Sequence, residues 1–339
     1  MLDRRAFLRL SGVGGMALAT GAAASSLSSV KFNHEWRQVS KTRLQMGTFV
    51  NIAVFHESGS LGEEAVEAGF DLISQKESIL SRFSDQSPVC ALNREASLKD
   101  VAPEVSRALN LSVLFHRETD GAFDITVKPL LDLMRECFER SQKPPSREAV
   151  RRCLKSVGLG YMEMSPSGVF FRREGMGITL DGIAKGLIVD WTAEELTRRG
   201  IEHFLINAGG DIRVAGGKGD GAPWKIAIRD PKSSDSYAAI IRLRDGALAT
   251  SGNYEVYFDR EKLYHHIVNP WNGVSPRFYS SVSALAPRAV EADALSTAVF
   301  VMEPADGIAF MERRYGVEGF VITEDDRKLH TSGWKKYQT

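Results

Sequence analysis

Residues 203–217 read HFLINAGGDIRVAGG, in which two short apolar runs are each followed by a pair of glycines. The runs HFLINA and DIRVA have the bulky and β-branched side chains that favour strands. Gly209 and Gly210, between the runs, give the backbone the freedom that a tight turn requires. We therefore expect an antiparallel hairpin at this point. A glycine turn would also let a flat or phosphorylated ligand approach the backbone closely.

The chain on the two sides of this hairpin differs in its pattern of elements. From Gly168 onward short β-type runs dominate, namely VFFRR, GITL, WKIAIRD, AAIIRLRDGALAT, YHHIVNP and SSVSALA, and two helices interrupt them at residues 183–199 and 291–302. Before Gly168 a strand at Thr48–His56 precedes three helices, which begin at a capping-box pattern of Ser60 and Glu63, at Pro103, and at Ser146 with an end at residue 157. Helices gathered early and strands gathered late, with no repeat or linker between them, predict an α+β fold in one catalytic domain over residues 31–339.

Residues 1–30 have the pattern of an export signal. The run RRAFLRL, with its arginine pair, is followed by the weakly apolar stretch SGVGGMALATGAAASS. This order predicts a twin-arginine signal and a soluble periplasmic protein, with a plain N-terminal helix as the alternative. The apolar stretch is too short and too rich in glycine for a membrane span, so we expect no membrane insertion of the mature chain.

The charge argues against two classes of partner, and the cysteines argue against two kinds of structural site. The 43 basic and 43 acidic side chains balance at a formal net charge of zero, which argues against sequence-independent attraction to nucleic acid or anionic lipid. Cys90, Cys137 and Cys153 are odd in number and have no CxxC spacing. Neither a disulfide framework nor a zinc site is therefore indicated.

Two segments have residue types that suit a cation and a phosphate. In EADALSTA, Asp293 and Thr297 are four residues apart, so a helix places carboxylate and hydroxyl on one face, where they can bind a hard cation. In LDGIAKG, we expect a strand to lead through Gly182 into a helix whose first amides and Lys185 would suit a pyrophosphate. Taken alone, each segment is also compatible with an ordinary helix start.

A proton acceptor can be sought among the adjacent histidines. His265 and His266 lie in the run expected to be a strand, so they would face opposite sides, and only one could enter a given cleft. A histidine there could accept a proton from an attacking hydroxyl, although a structural histidine is the commoner case. Ser251 lacks the GxSxG elbow, so we reject a serine hydrolase.

The ordered set of motifs resembles the ApbE family of FAD:protein FMN transferases. The matching segments are Met46-Gly47-Thr48, SRFSDQSPVCALN at residues 81–93, GAFD at residues 121–124 with Thr126, Val127, Pro129 and Leu130, GIAKG at residues 182–186, NAGGDI at residues 207–212, TSG at residues 250–252, His266 to Pro270, and ADALST at residues 292–297. The resemblance implies a mixed, largely antiparallel sheet flanked by helices, with FAD in a central cleft.

The resemblance also implies roles for individual residues. Asp293, Thr297 and the backbone carbonyl of Ala184 would hold Mg²⁺, and His266 would be the catalytic base. The residues implied to bind FAD are Met46, Phe83, Asp124, Thr126, Asp181, Lys185, Gly209, Gly210, Thr250 and Ser251.

The reaction implied is attack by a threonine hydroxyl of an acceptor protein on the FMN-side phosphorus of FAD, which releases AMP and leaves FMN in a phosphoester bond. The acceptor would be an FMN-binding domain of a membrane electron-transfer or respiratory protein. Two other functions remain open, a Mg²⁺-dependent FAD pyrophosphatase and a non-catalytic periplasmic flavin carrier.

Two segments depart from the family pattern. The usual DLG before GIAKG is Thr179-Leu180-Asp181, so a carboxylate has moved by two positions. Asn269 and Asn272 replace an acid and a threonine after the histidine. These changes leave the expected metal pair and histidine intact, and would act on acceptor preference, metal affinity or the balance between transfer and hydrolysis.

Overall fold

The computed structural model describes residues 30–32, 36–233, 236–254, 256–259 and 263–339. The expected export signal lies outside these residues, except that the backbone of Val30 begins the first strand. Within the described ranges, no helix has both the length and the apolar character needed to cross a membrane.

Among the residues that the structure describes, the strands form one large sheet and two small ones. In chain order they are β1 (Val30–Phe32), β2 (Trp36–Gln45), β3 (Thr48–His56), β4 (Ser97–Leu98), β5 (Met162–Ser165), β6 (Gly168–Phe171), β7 (His203–Ala208), β8 (Asp211–Ala215), β9 (Trp224–Arg229), β10 (Tyr237–Leu243), β11 (Gly246–Gly252), β12 (Tyr279–Ala286), β13 (Glu318–Thr323) and β14 (Lys328–His330). In the described part of the chain, the large sheet has nine strands in the order β1-β2-β3-β7-β8-β11-β12-β13-β14, each antiparallel to its neighbour. This confirms the α+β class and the antiparallel sheet.

The helices are α1 (Gly59–Leu80), α2 (Pro88–Glu95), α3 (Pro103–Glu118), α4 (Lys128–Ser141), α5 (Arg147–Leu154), α6 (Ala184–Arg198), α7 (Ala289–Val301) and α8 (Pro304–Glu312). Helices α1, α6 and α7 pack on one face of the large sheet, which contributes residues such as Ile52 and Ala249 to the main core. Alternate residues, among them Phe55 and Leu248, face a second core that Trp224 of β9 and Trp334 complete. The sheet is therefore covered on both faces, and α6 and α7 lie together above β8 and β11.

The quoted hairpin is confirmed, because β7 and β8 pair from Phe204 with Ala215 to Ala208 with Asp211 around Gly209 and Gly210. Strand β3 has the expected bounds. The N-cap of α1 differs from the prediction, since Ser58 rather than Ser60 accepts a hydrogen bond from the amide of Leu61 at 3.3 Å.

Other differences concern elements that the sequence pattern missed or misassigned. Helices α2, α4 and α8 were not predicted, although each has a proline in its first turn. The predicted strand in GITL is wrong, because Ile178 instead exchanges hydrogen bonds with the side chain of Asn93 at 2.7 and 2.9 Å. YHHIVNP is not a strand either, and the bridge between His265 and Tyr257 is its one β-type pairing with the described part of the chain.

Candidate active site

The strand ends bring two of the glycine-containing motifs together at one edge of the large sheet. The turn of Met46 and Gly47 joins β2 to β3, and the turn of Gly209 and Gly210 joins β7 to β8 beside it. A Cβ on Gly209 would lie 2.5 Å from Oγ1 of Thr48, so the two turns are in direct contact. Gly210 has φ 105°, and a Cβ there would meet nothing within 4 Å, so the space beside its Cα is open to a ligand, while its amide donates to Oδ1 of Asn207 at 3.0 Å.

The first turns of α6 and α7 meet above this edge. The backbone amide of Gly186 donates to Oδ2 of Asp293 at 3.0 Å, and a Cβ on Gly186 would lie 2.4 Å from the carbonyl oxygen of Ala289. A Cβ on Gly182 would lie 2.9 Å from Oγ1 of Thr297. The structure therefore brings Asp293 and Thr297 against the GIAKG segment, and only glycine at residues 182 and 186 permits so close an approach.

A chain of hydroxyl groups orients Thr297. Oγ of Ser296 donates to the backbone carbonyl of Asp293 at 3.0 Å and lies 2.9 Å from Oγ of Ser251. Oγ of Ser251 is also 3.4 Å from Oγ1 of Thr297. Each of these hydroxyl groups has one proton, and when Ser296 donates to the carbonyl, Ser251 can donate to Ser296 and accept from Thr297. In that arrangement the lone pairs of Thr297 face a cation, and spacing alone did not reveal the contribution of Ser296.

The donor set fits a magnesium ion. Asp293 is 4% exposed and contributes one carboxylate, and Thr297 contributes one hydroxyl. Magnesium ordinarily takes one or two protein carboxylates and completes its shell with substrate phosphates and water. Ala184, whose carbonyl the family resemblance adds to the set, is the first residue of α6, two residues before Gly186. In the described ranges there is no group of three or more His, Cys, Asp or Glu side chains that could hold a metal.

Arg82 and Asp181 form an ion pair between residues 99 positions apart. Nε and Nη2 of Arg82 lie 2.8 and 2.7 Å from Oδ2 of Asp181. Burial acts to raise the pKa of Asp181, but the charge and hydrogen bond of Arg82 outweigh it and hold this pKa below its usual value. Asp181 therefore stays ionised, in the position where the sequence departs from the family pattern. Arg82 was not among the predicted site residues.

His266 has the tautomer that a general base needs. Its Nδ1 lies 3.1 Å from the carbonyl oxygen of Val256, which can only accept, so Nδ1 holds the proton and Nε2 presents a lone pair. Burial lowers the pKa of His266, while the charge of Asp181 acts to raise it. The ring is thus neutral at pH 7 and able to take up a proton. His265 instead is buried against Phe300 and is structural.

Lys185 is held at the same edge by an ion pair. Its Nζ lies 3.0 Å from Oδ2 of Asp211, the first residue of β8. Burial raises the pKa of Asp211, and the charge of Lys185 opposes that rise. The lysine side chain keeps 30% of its surface exposed, so a phosphate can approach its positive charge.

Asp124 and Thr126 are hydrogen-bonded to each other in the loop that follows α3, and their contact with FAD stays a prediction. Oδ1 of Asp124 accepts from the amide and hydroxyl of Thr126 at 2.7 and 2.6 Å, and Oγ1 of Thr126 accepts from the amide of Gly158. This cap begins a short 3₁₀ helix at Ile125–Val127 and fixes the preceding Phe123, whose ring would lie 3.4 Å from a Cβ on Gly182. The GAFD motif thus places the ring of Phe123 next to Gly182 of the GIAKG segment.

The remaining predicted residues have different surroundings. Phe83 is 66% exposed, with the guanidinium of Arg82 4.3 Å from its ring centre, so its ring is available for stacking. Met46 is partly buried and has φ 51° in the turn before β3. Thr250 alternates with Ser251 along β11 and therefore faces the other side of the sheet, where it lies 2.8 Å from Ser283. The structure does not bring Thr250 to the cation donors.

Comparison with known proteins finds relatives that cover almost the whole chain. A protein of Treponema pallidum named FAD:protein FMN transferase is 32% identical over 88% of this chain and 88% of its own length. A Vibrio cholerae protein with the same name is 29% identical over 86% of this chain and 88% of its own. The crystal structure of the ApbE protein from Thermotoga maritima covers 89% of this chain and 99% of its own, with a TM-score of 0.82 and 30% identity.

The match to the family model is as extensive. It is described as the ApbE family and spans residues 46–321, from the turn before β3 into β13, so it includes every group placed at the sheet edge. The chain belongs to the ApbE family.

Proposed function

We propose that this chain is a Mg²⁺-dependent FAD:protein FMN transferase that attaches FMN to a threonine of an acceptor flavoprotein and releases AMP. Relatives with 26–32% identity, several of them covering most of the chain, are named FAD:protein FMN transferase, which supports the class of reaction. The observation that carries the proposal furthest is the meeting of Asp293 and Thr297 with the GIAKG segment, because it combines cation donors with backbone that only glycine permits.

In this proposal, different residues of the chain bind the substrate and accept the proton. The open space beside Gly210 and the exposed ring of Phe83 accept the flavin substrate, and the positive charge of Lys185 attracts its pyrophosphate. Nε2 of His266 takes the proton of the attacking threonine hydroxyl. Asp181, held by Arg82, favours the imidazolium that results. In-line displacement at the FMN-side phosphorus then forms the new P–O bond as the bond to AMP breaks.

A cation held by Asp293, Thr297 and the carbonyl of Ala184 would supply stabilisation of charge on the phosphoryl oxygens. Thr297 suits that role, because Ser251, whose Oγ is 3.4 Å away, can accept its proton and leave its lone pairs to the cation. Asp293 is fixed for the same role by the amide of Gly186.

We further propose that the mature protein acts in the periplasm after twin-arginine export, on an FMN-binding domain of a membrane electron-transfer protein. The support is the arginine pair and apolar stretch of residues 1–30. Fusion of residues 1–30 to a reporter that is active only after export, with an Arg4→Lys, Arg5→Lys control, tests the location. Export that ignores the arginine pair would contradict it.

Product analysis tests the reaction. Purified protein, FAD and Mg²⁺ are incubated with and without an FMN-binding domain, and FAD, FMN and AMP are separated by chromatography. We expect AMP to appear at a rate that depends on the acceptor, with little free FMN. Equal AMP and free FMN at a rate that ignores the acceptor would identify a pyrophosphatase, and bound FAD without AMP would identify a carrier.

A further inference from the structure

A buried carboxylate outside the donor set joins the two helices of the site. Asp190, in the second turn of α6, is 3% exposed. Its Oδ1 accepts from the amide of Ala289 at 2.9 Å and its Oδ2 from the amide of Val290 at 3.0 Å. These are the first two amides of α7, which no residue of α7 itself can satisfy. Asp190 therefore caps α7 from the neighbouring helix.

The contact between these helices is reciprocal. Asp190 of α6 accepts from the start of α7, while Asp293 of α7 accepts from the amide of Gly186 at the start of α6. The side chain of Arg288, the N-cap residue of α7, accepts no hydrogen bond from the helix. Asp190 therefore accepts the amide hydrogen bonds that an N-cap side chain normally accepts. The two carboxylates fix both the separation and the rotation of α7 against α6.

The groups around Asp190 act against the effect of its burial. Burial raises its pKa, and the two amide bonds together with the charge of Arg288 oppose that rise. Nε of Arg288 lies 3.4 Å from Oδ2 of Asp190. The positive end of the α7 dipole adds to this stabilisation.

We infer that Asp190 is a positioning residue for the cation site: by capping α7 from α6, it holds Asp293 and Thr297 at the separation from the GIAKG segment that cation binding needs. Groups that orient metal ligands from outside the shell ordinarily contribute 10- to 100-fold in metal affinity or activity. The inference rests on the proposed function only in that Asp293 and Thr297 bind a divalent cation.

The test measures Mn²⁺ binding directly, by electron paramagnetic resonance of free Mn²⁺, in the absence of flavin and acceptor. In Asp190→Asn the amide nitrogen cannot accept, so one of the two α7 amides loses its partner while side-chain size is kept. We expect the dissociation constant for Mn²⁺ to rise about 10- to 100-fold, and the increase in Tm on adding Mn²⁺ to shrink accordingly.

Glu195→Gln is the matched control. Glu195 is also a buried carboxylate of α6, 6% exposed, but it pairs with Arg198 and Arg199 on its own helix and not with α7. Its loss should lower Tm without changing Mn²⁺ affinity. A general loss of α6 stability would instead weaken binding in both variants, and that result would overturn the inference.

The outcomes separate this inference from the proposed function. If the unchanged protein binds no Mn²⁺, the cation part of the proposed function fails. If it binds Mn²⁺ and Asp190→Asn, folded by circular dichroism, binds equally well, only the positioning role fails. Should Asp190→Asn not fold, Arg288→Gln removes the 3.4 Å ion pair at a side chain that is 44% exposed. A weakened Mn²⁺ affinity in Arg288→Gln supports the inference, and an unchanged affinity overturns it.

Discussion

Replacement of Gly186 by alanine should misalign the cation site by a distance that can be read from the structure. The new Cβ would lie 2.4 Å from the carbonyl oxygen of Ala289 and 2.8 Å from Cβ of Asp293. Ordinary contact begins at 3.4 Å, and the carbonyl belongs to a helix backbone, so α7 must move away by about 1 Å. The 3.0 Å bond from the amide of Gly186 to Asp293 would then be lost.

The effects of this substitution on the free energy of unfolding partly cancel, whereas its effect on the rate of FMN transfer does not. Overpacking of this kind costs about 1–3 kcal/mol, while alanine gains about 1 kcal/mol over glycine inside a helix. We therefore expect the free energy of unfolding in urea to fall by about 0–2 kcal/mol. Displacement of a catalytic group by about 1 Å can reduce rate about 100-fold, so FMN transfer should fall by that order.

Gly160→Ala is the control for this experiment, because a Cβ there would meet nothing within 4 Å and the residue has no positive φ. It should change stability by less than about 0.5 kcal/mol and leave transfer unchanged. Urea unfolding, Mn²⁺ affinity and transfer rate are measured for both variants. A Gly186→Ala protein with unchanged Mn²⁺ affinity and transfer rate would show that the close contact of α6 with α7 does not align the cation site.

Three further predictions follow from the other contacts. Asp293→Asn keeps an oxygen for the amide of Gly186 but loses the charge, so Mn²⁺ affinity and transfer should both fall at least about 100-fold. Loss of transfer without loss of Mn²⁺ affinity would contradict the assignment of Asp293 as a cation ligand. His266→Gln should reduce transfer about 10²- to 10⁴-fold. Because burial lowers the pKa of His266 below 6.5, the wild-type rate should rise with pH to a plateau with a midpoint below 6.5, and a midpoint above 6.5 would exclude this base. His265, whose pKa burial lowers to about 4, takes up a proton more readily in the unfolded chain, so the free energy of unfolding should fall as pH drops from 6.5 to about 4, by about 3 kcal/mol in total. His265→Phe should flatten that slope, and an unchanged slope would show that another group is responsible.

Local periodicity and turn chemistry were sufficient for much of the fold. The hairpin around Gly209 and Gly210 and the strand at Thr48–His56 follow from alternation and glycine placement, which depend on neighbouring residues only. YHHIVNP shows the limit of this reasoning. The amide of His265 donates to Oγ of Ser275 at 3.0 Å, so side-chain partners replace the ladder of bonds that its β-branched pattern favoured.

The candidate site was predictable where its residues share one helix or one turn. Asp293 and Thr297 follow from their spacing of four, and the family motifs supply Ala184 and His266. Arg82 and Asp181 could not be paired from the sequence, because 99 positions separate them. The contacts of Asp190 with α7 also join residues about 100 positions apart, and no local pattern reports them.

Intact-mass spectrometry of an acceptor domain detects the covalent transfer of FMN itself. The domain, and a variant with its acceptor threonine changed to valine, are incubated with FAD, Mg²⁺ and either the unchanged enzyme, Asp293→Asn or Glu195→Gln. We expect a mass increase of one FMN on the unchanged domain with the unchanged enzyme and with Glu195→Gln, and none with Asp293→Asn or on the valine variant. An acceptor that stays unmodified while FAD is split would contradict the transferase function. Equal modification by Asp293→Asn would contradict the role of the cation site.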